Sequence, residues 1–126
     1  MNLLGLRTLP GESNLTLDKL NKKIRNAAKH AKLQISIKQS HSESKIVSLI
    51  HKSRKKINHI ILCPEVWCIN GLVIKQAIEL VNIPCSIILN NSNPGIFESM
   101  INHNNIFFSD NYISGYIDCI NSLKGQ

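Results

Sequence analysis

Few side chains in this 126-residue chain stand at spacings that suggest chemistry. The four cysteines are Cys63, Cys68, Cys85 and Cys119. Cys63 and Cys68 are five apart and do not reproduce the short-loop spacing of a zinc knuckle, so no metal site is expected. His41 stands beside Glu43, where a strand end would admit a ligand, although a loop histidine is the plainer account. Trp67 could stack on a ligand, but a single tryptophan beside a sheet more often packs. Lys19, Lys22, Lys23, Arg25, Lys29 and Lys32 form one basic run, and His51, Lys52, Arg54, Lys55 and Lys56 a second. With a net charge of +7, these runs could grip phosphate backbones. No aromatic residues interleave with them, as single-strand binding would require, so they read as two solvated helix faces.

The elements that would position these residues alternate along the chain. Residues 16–32 carry Leu17, Leu20, Ile24, Ala27, Ala28 and Ala31 at helical spacing, with Thr16 as N-cap. Residues 33–39 alternate with period two and read as a strand. Ser42 is placed to cap a helix from Glu43 to Lys55. Ile57 to Cys63 is a short apolar run suited to a buried parallel strand. Asn70 would cap a helix from Gly71 to Val81, and Pro84 opens a strand from Cys85 to Leu89. Residues 90–95 carry loop chemistry, Asn105 to Phe108 reads as a strand, and Asn111 to Leu123 as a helix. Strands separated by helices imply right-handed crossovers, a parallel sheet and helices on both faces.

Length and composition fit one domain spanning 1–126: 43% of residues are hydrophobic and 18% charged, too apolar for disorder. No apolar run approaches the roughly 20 residues of a membrane helix. Met1 to Gly5 does not look like a signal peptide, so a cytoplasmic protein with free thiols is expected.

Three segments in order carry a family resemblance. Asn2-Leu3-Leu4-Gly5-Leu6-Arg7 is similar to the Asn-Leu-Leu-Gly-x-Arg-Glu-Pro loop of type II 3-dehydroquinate dehydratases. Gln39-Ser40-His41-Ser42-Glu43 resembles that family's Gln-Ser-Asn-x-Glu junction. Ile60-Ile61-Leu62-Cys63-Pro64, on through Ala77 to Ile83-Pro84, resembles its third strand, the following helix and the start of the fourth strand. Ser114-Gly115-Tyr116 fits its last helix.

The resemblance implies a flavodoxin-like three-layer sandwich, with strand order 2-1-3-4-5 and a site beyond the C-terminal strand ends. It implies shikimate-pathway dehydration of 3-dehydroquinate to 3-dehydroshikimate without a cofactor, and self-association as trimers grouped into a dodecamer. It also implies a truncated or missing first strand, because the family's central strand would lie before Met1. An open central slot would leave backbone groups unpaired, each costing about 1–3 kcal/mol, so direct pairing of strands 33–39 and 58–63 or a distorted sheet is expected.

The dehydration needs a base for a carbon-bound proton, donors for an enolate oxygen and an acid for the leaving hydroxide. By resemblance Arg7 retains a catalytic arginine, while Glu12 stands where the family has its tyrosine base. A carboxylate is intrinsically a far weaker base than a tyrosinate. Cys63 replaces a substrate-binding asparagine, and Ser92 matches the family's Ser-Asn pair. Ile69 replaces a substrate-binding histidine, and Ile87 and Leu89 replace the Glu and His of the fourth strand. That histidine is the family's acid, and leucine transfers no proton. The expectation is a homologue impaired or inactive in catalysis. Two alternatives stand beside it: an active dehydratase with a site rebuilt on Arg7 and Glu12, and a basic nucleic-acid-binding module.

Overall fold

The structure, a computed structural model, describes residues 1–8, 14–65, 67–89, 94–101, 105–108 and 112–124, with the backbone alone at 14–17. Five strands, β1 (Asn2–Arg7), β2 (Gln34–Gln39), β3 (His59–Cys63), β4 (Cys85–Leu89) and β5 (Ile106–Phe108), form one parallel sheet in the order β2-β1-β3-β4-β5. The helices are α1 (Asn14–His30), α2 (Glu43–Ser53), α3 (Trp67–Asn70), α4 (Leu72–Val81) and α5 (Tyr112–Leu123), with a 3-10 helix over Gly95–Met100. Among the described residues, no helix is long and apolar enough to cross a membrane.

The sheet divides two apolar layers, as the three-layer expectation requires. On one face α1 and α5 set Leu20, Ile24, Ala28, Cys119, Ile120 and Leu123 against Leu3, Ile61 and Ile88. On the other, α2, α4 and the 3-10 helix set Ile46, Ile50, Ile74, Ile78 and Phe97 against Leu4, Leu6, Ile60, Leu62, Ile87 and Leu89. The alternation of Leu3 and Leu4 between the layers follows from the two-residue strand period. Each buried leucine, isoleucine or phenylalanine among them contributes about 1.5–3 kcal/mol.

The expected gap at the sheet centre is not there. Asn2–Arg7, which by resemblance is a loop, is itself the central strand and pairs with both β2 and β3. Leu3, Leu4 and Leu6 are apolar toward both layers, and a strand covered on both faces needs that. Filling the slot also satisfies the backbone groups that an open sheet would strand.

Smaller corrections concern the helix starts. Ser42 does cap α2, its Oγ accepting from the Lys45 N–H at 3.4 Å. Asn70 caps nothing; it closes α3, and α4 follows Gly71. A Cβ on Gly71 would stand 2.6 Å from the Trp67 Cβ and 2.8 Å from its carbonyl oxygen, so the junction accepts no side chain there. Thr16 lies inside α1 and not ahead of it. Part of the expected 90–95 loop is recast, because the 3-10 helix begins at Gly95, while residues 90–93 lie outside the described set.

Candidate functional site

In the order 2-1-3-4-5 the chain reverses its direction of strand addition between β1 and β3, and ligands of such sheets bind beyond the C-terminal ends there. Arg7 and Cys63 are the last residues of those two strands and are direct partners in register, with Gln39 of β2 opposite Arg7 on its other side. The chain leaves the sheet through Thr8, whose N–H donates to the Cys63 carbonyl at 3.4 Å, while Ser40 N–H donates to the Arg7 carbonyl at 3.2 Å.

Strand geometry decides where Arg7 points. Leu4 and Leu6 face the α2–α4 layer, so Leu3 and Arg7 face α1 and α5. The guanidinium is fully buried. Its Nη2 donates to Asn21 Oδ1 of α1, while Nε and Nη1 have no hydrogen-bond partner among the described residues. The Tyr116 hydroxyl of α5 lies against both the guanidinium and the Cys63 thiol. Burial, then the Cys63 sulfur, holds its pKa well above the usual value, with Arg7 acting in the opposite direction. Cys63 is likewise pushed up, first by burial and then by the Glu65 carboxylate, against the pull of Arg7. Both groups therefore stay protonated, so neither supplies the negative charge a buried guanidinium calls for.

Around this centre lies a more polar rim. The Thr8 Oγ1 and His41 Nδ1 are 3.1 Å apart, the donor being set by the imidazole tautomer. Ser42 N–H donates to Ser40 Oγ at 2.9 Å, shaping the turn into α2. Glu65 sits at φ 42°, a left-handed conformation uncommon for a glutamate, and its Oε1 is buried without a hydrogen-bond partner among the described residues. No ion pair joins Glu65 to Arg7 among the described residues.

The residues singled out in the sequence are thus only partly assembled. Arg7 and Cys63 meet, but below the surface and on the α1–α5 side. Glu12 and Ser92 lie outside the described residues. Ile87 and Leu89, which by resemblance replace the family's Glu and His, are fully buried in the apolar cluster beneath α2 and α4. Ile69, which by resemblance replaces a substrate-binding histidine, is 84% exposed. Trp67 is buried and packs, and His41 is a loop histidine whose ring is tied to Thr8. Asn21 and Tyr116 were missed by sequence reasoning. Helical phase with Ile113, Ile117 and Ile120 put Tyr116 on an inward face, which was the one signal that its hydroxyl needs a polar partner. Among the described residues, no three His, Cys, Asp or Glu gather as metal ligands would.

Comparison with known proteins bears on what this arrangement derives from. The profile of a family described as Dehydroquinase class II matches residues 1–107. A 3-dehydroquinate dehydratase of Trichodesmium erythraeum is 30% identical over 136 aligned positions, covering 100% of this chain and 90% of that protein. A 3-dehydroquinate dehydratase of Clostridium botulinum strain 657 is 37% identical over 84 residues, 67% of this chain. Against the Clostridium relatives, the matched part spans only 55–57% of their length. The type II dehydroquinase of Propionibacterium acnes superposes with a TM-score of 0.81 at 14% identity, over 99% of this chain and 97% of that one. A 3-dehydroquinate dehydratase-like protein from Bifidobacterium longum superposes at 0.78 with 16% identity, over 98% and 94%. Those two likenesses establish a shared fold, and the profile and sequence matches establish descent: the chain belongs to the class II dehydroquinase family.

Proposed function

We propose that this chain is a class II dehydroquinase homologue in which dehydration of 3-dehydroquinate is lost or severely impaired. One observation carries the reading. Arg7, the single catalytic residue retained in type, ends the central strand and is buried under α1 and α5, where substrate beyond the strand ends would not meet it. The substituted positions agree in direction. Ile87 and Leu89 offer no proton where the family has its Glu and His, and loss of one general acid costs about 10²–10⁴ in rate. Losses in one catalytic unit do not multiply, yet little rate remains once acid, base and binding groups go together.

Two further parts of the proposal follow from family membership. The ligand class is a small-molecule acid of the dehydroquinate type, and the protein acts in the cytoplasm. Self-association fits the exposed Ile69, Leu72, Val73 and Leu80 of α3 and α4.

The test is the ultraviolet absorbance of the conjugated product when folded protein meets 3-dehydroquinate, with Arg7→Ala in parallel. Absence of turnover is expected from both proteins. Turnover by the parent that disappears in Arg7→Ala would overturn the proposal and favour a site rebuilt on Arg7.

A further inference from the structure

A concavity on the α2 side of the sheet, the face opposite the one into which Arg7 points, gathers positive charge from two elements. It lies between α2 and the edge strand β2, has a volume of about 550 Å³, and is lined by Lys38, Ser44, Lys45, Ser48, Leu49 and Lys52. That volume is within the range of small-molecule sites. Lys38 projects from β2 on the face opposite Ile35 and Ile37, toward the α2 side of the sheet. Lys45, Ser48 and Lys52 follow one another at helical spacing along a single face of α2, and Ser44 lies one turn before Ser48.

Three features separate this cleft from an ordinary solvated helix face. No acidic side chain lines it, and none of the three lysines makes an ion pair among the described residues, whereas Lys75 on α4 is held by Glu79 at 3.1 Å. Glu43, in the first turn of α2, is the nearest acid in sequence and does not line the cleft. Like charges sharing a concave surface repel one another and focus a positive potential into it. The serine hydroxyls add neutral donors between the ammonium groups, and Leu49 gives the floor an apolar patch.

We propose that this cleft binds a small anion carrying two or more phosphate groups. Lysines act as point charges with rotatable donors, and tetrahedral phosphate oxygens can accept from several of them and from hydroxyls at once. The separation favours more than one phosphate, since Lys45 and Lys52 are seven residues apart, about 10.5 Å of helix rise. A single phosphate would have to draw both side chains in toward Ser48, whereas a chain of phosphates can meet each lysine near its own end of the cleft. The proposal does not depend on the state of the catalytic site.

Inorganic tripolyphosphate is the probe, titrated calorimetrically at low salt into the full chain. Saturable one-site binding is expected, tighter than for inorganic orthophosphate. The double variant Lys45→Ala/Lys52→Ala should weaken it about tenfold or more, while Lys22→Ala/Lys23→Ala, which removes the same charge from α1, should change it less than about twofold. All four lysines are exposed and alanine is a good helix former, so both variants should fold. Equal losses in the two variants would reduce the effect to net charge and overturn the proposal. Non-saturable binding would do the same, as would tighter binding of a short oligothymidylate with its loss spread over α1.

Discussion

Replacing Arg7 with methionine should make this protein more stable. The guanidinium is fully buried, donates to Asn21, lies against the Tyr116 hydroxyl, and leaves Nε and Nη1 without partners among the described residues. Each unsatisfied buried polar group costs about 1–3 kcal/mol, and more when it is charged. Exchanging buried charge for apolar side chains of similar volume has stabilised other proteins by about 1–4 kcal/mol. Methionine is unbranched and adaptable, so it can follow most of the path of the arginine stem. Against this gain stands the loss of the bond to Asn21, about 1 kcal/mol, because Asn21 is only half-buried and can be rehydrated. The net expectation for Arg7→Met is a gain of about 2 kcal/mol. An unfolding entropy of about 2.1 cal/mol/K per residue over 126 residues gives about 265 cal/mol/K, so the melting temperature should rise by about 8 °C. Urea unfolding followed by circular dichroism, with a thermal melt beside it, measures both quantities. A destabilisation of about 1 kcal/mol or more would refute the reasoning, because it would mean that the buried cation is compensated.

Two further expectations concern other parts of the fold. Gly95 has φ +56°, and a Cβ there would stand 2.1 Å from the Cys68 carbonyl oxygen, so Gly95→Ala should lower the urea midpoint by an amount equivalent to about 2–3 kcal/mol. His59 faces Ser86 Oγ at 2.7 Å, and burial lowers its pKa below the usual 6.5. A neutral histidine with a lowered folded pKa supports the fold above the unfolded value, and that support is lost as pH falls below 6.5 through the folded value. His59→Gln should therefore flatten the acid limb of a stability–pH profile, and an unchanged limb would remove His59 as its source.

What could be read in the sequence was periodic. The apolar spacing of Ile46 and Ile50, the run Ile57 to Cys63, and Ile74, Ala77 and Ile78 identified α2, β3 and α4, because each element buries a face with its own repeat. The parallel sheet followed from the alternation of helix and strand, and the strand order from the family resemblance alone. The central strand was misread because Asn2–Arg7 resembles a loop, although Leu3, Leu4 and Leu6 carry the apolar signature of a doubly covered strand. The start of α4 depended on contact between Gly71 and Trp67, which no capping preference encodes. The setting of Arg7 was illegible for a different reason. Asn21 and Tyr116 reach it from α1 and α5, and only tertiary packing brings those helices together over the end of β1.

The central place of β1 also constrains the order in which the chain can acquire its shape. A strand that pairs with both β2 and β3 has no local hairpin partner, so each of its ladders closes a long loop. During synthesis, which runs from the N-terminus, β1 emerges first and gains one neighbour when β2 follows. Its other edge, a row of unpaired backbone groups flanked by leucines on both faces, stays open until His59–Cys63 has been made. That interval is when an apolar strand edge is available to another nascent chain. A variant that slows formation of α2 would lengthen the interval and lower soluble yield without altering a contact in the finished molecule.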